Sequence, residues 1–135
     1  MGIRVSMKMQ STSNDGMDIR FENRNGYLYA FLSGRGDNVS VAIKFWQCAI
    51  DECNKRGQKR LLVEQDFPNP LSTVDAFYLA DAISKMAVAQ LKIAFADRDR
   101  EQNEVSMFVE TVAVNRGVLG QVFTNLSDAE TWLIS

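Results

Sequence analysis

From Asp18 onward, strand-length apolar runs take turns with amphipathic segments long enough to be crossover helices, and few architectures satisfy that pattern. Ile19, Phe21 and Asn23 alternate with Arg20, Glu22 and Arg24, as in a half-exposed strand. Asn25-Gly26 signals a hairpin turn, because both residues tolerate positive φ. Tyr27 to Leu32 is apolar on both faces, which predicts a central strand. Asp37 or Asn38 can cap the next segment, where Val39, Ile43, Trp46, Ile50 and Cys53 recur at spacings of three and four. Ala42, Phe45 and Ala49 widen that stripe, and Gly57 closes the helix.

Leu61 to Val63 reads as a short buried strand, and Glu64 to Leu71, with Pro68 and Pro70, as a loop. Ser72 opens a second helix with Asp75 three residues later, a capping-box spacing, and a buried stripe of Ala76, Leu79, Ala82, Ile83 and Met86. Leu91 to Ala96 is the next strand, followed by a charged connector over 97–101. Val105, Phe108, Val109, Val112 and Ala113 mark a third helix, ended by Asn115-Arg116-Gly117. Val118 to Phe123 is the last strand, and Ser127-Asp128-Ala129-Glu130 reads as the capping box of a final helix holding Trp132 and Leu133. The order is β-β-α-β-α-β-α-β-α, an α/β domain over 18–135 with a mixed, mostly parallel sheet. Residues 1–17 lack periodicity and read as a mobile leader; Gly2 and Ser6 fit a short acylation pattern that matches often by chance.

Composition excludes several chemistries. With 135 residues the chain is the size of one domain, and no run approaches the roughly 20 apolar residues of a membrane span. Fifteen Lys and Arg against seventeen Asp and Glu give a net charge of −2, so no bulk attraction to nucleic acid is expected. The absence of histidine removes Ser-His-Asp and Cys-His catalysis and imidazole zinc sites. Cys48 and Cys53 are about 500° apart around a helix and share no face. Gly34 and Gly36 match a phosphate-binding turn only in part, since the third glycine position is Val39, so a plain turn is expected there. Arg35-Gly36-Asp37 is a chance tripeptide. Lys55-Arg56 and Lys59-Arg60 read as a solvated helix end, and Asp66, Asp75, Asp97 and Asp99 as caps and loop acids near strand ends. No cofactor, metal site or catalytic machinery is expected.

Four stretches carry a family resemblance: Pro70-Leu71-Ser72-Thr73-Val74-Asp75, Lys92-Ile93-Ala94-Phe95, the run from Phe108 to Gly117 that ends Asn115-Arg116-Gly117, and the tail from Val122 to Leu133. Together they resemble the small stand-alone bacterial members of the STAS superfamily (sulphate transporter and anti-sigma factor antagonist), in the anti-sigma-factor-antagonist-like branch also grouped with the SEC14-like fold. The resemblance implies a four- or five-stranded sheet with helices mainly on one face. It implies a cytoplasmic, non-enzymatic regulatory module whose partner is a protein, such as a kinase-like or anti-sigma-like regulator. In such relatives a serine or threonine before the second helix is phosphorylated; the matching positions here are Ser72 and Thr73. Relatives bearing that switch usually show Asp-Ser-Ser-Gly, where this chain has Leu71-Ser72-Thr73-Val74. A plain N-cap is the competing role for Ser72. Val74, Phe77 and Tyr78 fall off the buried stripe of the second helix and, with Asp75, complete the candidate contact surface. A homodimer and a small apolar ligand are open as further partners, the latter under the alternative reading of a SEC14-like lipid or small-molecule carrier.

Overall fold

The computed structural model describes residues 4–5, 17–34, 38–67, 71–98 and 103–135. Its elements are β1 (Arg4–Val5), β2 (Met17–Arg24), β3 (Tyr27–Gly34), α1 (Val39–Lys55), β4 (Arg60–Asp66), α2 (Thr73–Ser84), β5 (Lys92–Asp97), α3 (Asn103–Asn115), β6 (Leu119–Phe123) and α4 (Leu126–Ile134). The strands lie side by side in chain order in one sheet. The β1–β2 and β2–β3 pairs are antiparallel and the remaining pairs parallel. Five strands form the body of the sheet, and β1 adds two leader residues at the edge, Arg4 opposite Glu22 and Val5 opposite Phe21. The other residues of the leader before Met17 lie outside the described residues, as do 35–37 with the tripeptide, both prolines at 68 and 70, and Asp99 in the charged connector.

Local chemistry explains the ends. Asn38 caps α1, its side-chain oxygen accepting the Val41 N–H at 3.2 Å. Gly57 takes φ +70 just past that helix, where a Cβ would be strained. The buried face of α1 is centred on Ala42, Phe45, Ala49 and Cys53, while Val39 and Ile43 lie at its partly buried margin. The periodic pattern therefore locates the helix and slightly misplaces the middle of its stripe.

Asp97, expected in the charged connector, instead ends β5 and is buried, its carboxylate accepting from the Gln65 amide at 3.0 Å. Two further boundaries differ from expectation. First, β4 continues through Glu64, Gln65 and Asp66, which the pattern assigns to a loop. A charged residue in a central strand interrupts the apolar run, yet Glu64 is satisfied there by Tyr29 and Arg98. Second, the cap of α4 is Asn125, not Ser127: its side-chain oxygen accepts the Asp128 N–H at 2.8 Å and its amide reaches the Asp128 carboxylate at 3.0 Å. Asparagine caps as well as serine does, and with Asn125 as cap Asp128 sits at the reciprocal capping-box position.

The sheet divides the core in two. Leu28, Ala30, Leu32, Leu61, Val63 and Ile93 face α1, α2 and part of α3 in a large apolar cluster that includes Phe45, Trp46 and Ile50. Tyr27, Leu62 and Ala94 face the other way and meet Ala129 and Leu133 of α4. This is an α/β fold with helices mainly on one face of a mixed sheet.

Candidate functional site

The helix α2 begins where β4 has ended. Ser72 is its N-cap, and its hydroxyl oxygen accepts the Asp75 N–H at 3.1 Å. The capping role read from the sequence is therefore realised, and Ser72 and Thr73 are both exposed. Asp75 is half-buried in the first turn, where its charge complements the positive end of the helix.

Ala76, Leu79, Ala80 and Ile83 turn inward. Val74, Phe77 and Tyr78 turn outward, exposed by 63%, 39% and 56%. Their i, i+3, i+4 spacing places them on one strip of the helix surface, and the Phe77 and Tyr78 rings meet edge-on with centroids 6.1 Å apart. Met86, expected on the buried stripe, lies beyond the helix end and packs at the margin of the core.

The structure brings in three residues that the sequence did not place at this site, Asp81 and its two cationic partners. Arg116, just past α3, forms an ion pair with Asp81, Nε to Oδ1 at 3.2 Å, and its guanidinium lies 5.2 Å from the centre of the Phe77 ring. Lys85 Nζ reaches Asp81 Oδ2 at 3.0 Å. The Lys85 hydrogen bond, with Arg116 nearby, holds the Asp81 carboxyl below its ordinary value. Arg116 thus ties the exposed aromatic pair of α2 to the end of α3. Its Asn-Arg-Gly context signalled a helix end, and nothing local in the sequence indicated a reach across to α2.

Behind α2 lies a mostly apolar cavity of about 80 Å³, lined among others by Trp46, Phe67, Leu79, Phe95, Val109 and Val118. A cavity of about 150 Å³ is known to hold benzene, so this volume is small for an acyl chain. Among the described residues, no three His, Cys, Asp or Glu side chains come together as metal ligands, and no helix is long and apolar enough to cross a membrane. Burial pushes the Cys53 thiol up to about 11 and also raises that of Cys48, which places neither among activated nucleophiles.

A mixed five-stranded body, parallel beyond its opening hairpin and with its helices mainly on one face, defines the STAS-type fold. The chain matches the crystal structure of an anti-sigma factor antagonist from Mycobacterium paratuberculosis with a TM-score of 0.61 and 16% sequence identity. The match covers 91% of this chain and 98% of that one. No protein-family model matches the sequence. No curated protein matches it either.

Proposed function

We propose that this chain is a non-enzymatic regulatory module that binds a protein partner through α2 and the loop before it. The observation that carries the reading is the exposed strip of Val74, Phe77 and Tyr78 beside the exposed hydroxyls of Ser72 and Thr73. Three large apolar side chains adjoining one another on a water-facing helix favour a contact surface. The fold shared with an anti-sigma factor antagonist supports a regulatory role. A phosphate on Ser72 or Thr73 would add about −1.5 to −2 charges at the rim of that surface. The small cavity behind α2 favours this reading over an acyl-chain carrier.

The test is affinity capture from the native cells with the wild-type chain and with a Phe77→Asp/Tyr78→Asp variant, followed by calorimetry on any purified partner. The expected result is a protein held by the wild type and lost from the variant, with unchanged thermal unfolding. Ser72→Asp/Thr73→Asp should weaken the same contact. Equal affinity of the partner for wild type and the Phe77/Tyr78 variant would overturn the assignment of α2 as the surface.

A further inference from the structure

The strands β4, β5 and β6 begin at the pole opposite the start of α2. A groove of about 350 Å³ opens there between the turn Val88–Leu91 and the segment Gly117–Leu119, with Lys59, Arg60 and Lys92 on its walls and, among the described residues, no carboxylate in its lining. Arg60 and Lys92 are register partners on adjacent parallel strands, so their side chains leave the same face of the sheet. Like charges set side by side on neighbouring strands repel each other. Both residues are half-buried, which separates them from the solvated lysines of an ordinary helix end.

Several other cations near this pole are paired, although Lys55 at the end of α1 forms no ion pair among the described residues. Arg24 pairs with Glu22, Arg56 with Glu52, and Lys85 and Arg116 with Asp81. Among the described residues no carboxylate forms an ion pair with Lys59, Arg60 or Lys92. The Lys92 ammonium donates to the Trp132 carbonyl oxygen at 2.7 Å and lies 4.5 Å from the Trp132 ring centre, partners that are electronegative but carry no formal charge. General basicity does not account for this, because the chain carries a net charge of −2.

We propose that this groove binds a phosphate group, with the Arg60 guanidinium and the Lys59 and Lys92 ammonium groups as donors. Phosphate oxygens accept charge-assisted hydrogen bonds from several cations at once, and a guanidinium presents two parallel donors to them. A dianion between Arg60 and Lys92 converts their repulsion into two attractions. Val88, Leu91 and Leu119 give the groove an apolar side that suits the organic remainder of a phosphate monoester. The same chemistry is offered by a soluble phosphomonoester and by a lipid phosphate headgroup.

Two probes separate those sources: phenyl phosphate in a backbone-amide NMR titration of the full chain, and vesicles of phosphatidic acid in phosphatidylcholine in a flotation assay. Lys59→Gln and Arg60→Gln are the variants of choice, because Lys92 also anchors α4. A soluble source predicts saturable shifts at Lys59–Arg60, Val88–Lys92 and Gly117–Leu119, weakened by salt and by roughly tenfold or more in either variant. Flotation that depends on Arg60, without response to phenyl phosphate, assigns the site to a headgroup. No saturable response to either probe, responses unchanged in both variants, or shifts centred on Ser72 to Asp75 would overturn the proposal.

Discussion

The two faces of the sheet solve burial in opposite ways. On the face covered by α1, α2 and α3, the strands contribute mostly apolar side chains, with Gln65 donating to the buried Asp97 at 3.0 Å near the strand ends, and Phe45, Ile50, Leu61 and Val63 are sealed from water. On the other face α4 covers a patch around Tyr27, Leu62 and Ala94, and beyond it the strands carry charge. There Glu64 is 4% exposed. Its carboxylate accepts the Tyr29 hydroxyl and the Arg98 Nε–H, the latter at 3.0 Å. Phe31 lies beneath two guanidiniums, with Arg98 at 4.6 Å and Arg20 at 5.6 Å from its ring centre. Burial and the Glu64 bond raise the Tyr29 hydroxyl above its ordinary value, and the same carboxylate raises Arg98. One face is closed by helices; the other is closed in part by its own side chains, with arginine stems and aromatic rings acting as the lid.

The sharpest way to break this contrast is to hollow out the closed face. Phe45→Ala should cost about 3–5 kcal/mol in urea denaturation, through lost burial and the cavity left behind. A loss nearer 1 kcal/mol would mean that α1 relaxes into the gap and that the closed face is softer than its packing suggests.

A second test uses proton linkage on the same face. The fully buried Cys53 thiol is raised from 9.0 to about 11, so the folded state holds that proton longer than the unfolded state does. The associated stability is fully present below pH 9 and lost as pH rises towards about 11. Compared with Cys53→Ala, the wild type should therefore lose roughly 2–3 kcal/mol more across that window. Parallel stability curves would show that water already reaches the thiol.

The smallest effect belongs to the open face. Arg98→Ala removes one charge-assisted bond to a buried carboxylate, but Arg98 is itself half exposed, so a loss of roughly 1–2 kcal/mol is expected. It should shrink in high salt. An effect under about 0.5 kcal/mol would place the cluster with ordinary surface ion pairs and sharpen the difference between the faces.

The closed face was legible in the sequence because its signals are periodic. The stripe of α1, the hairpin at Asn25-Gly26 and the cap at Ser72 each rest on contacts within a few residues of chain. So does the outward placement of Val74, Phe77 and Tyr78. The open face was not legible, because its logic spans strands. Glu64 looks like a strand breaker until Tyr29 and Arg98 are brought to it from 35 and 34 residues away. Arg116 on Phe77 and the Arg60–Lys92 pair are hidden for a like reason: the packing of α3 on α2 makes the first contact and the parallel register of β4 and β5 the second.

The strict chain order of the strands bears on how the protein is made. Each strand emerging from the ribosome meets an edge formed by the strand just before it, so the sheet can grow by simple addition without waiting for a distant segment. The three-helix layer has all its parts before the nine-residue helix α4 is synthesised. Tyr27, Leu62 and Ala94 are thus shielded later than the apolar face beneath α1, α2 and α3, and it is the arrival of α4 that covers them.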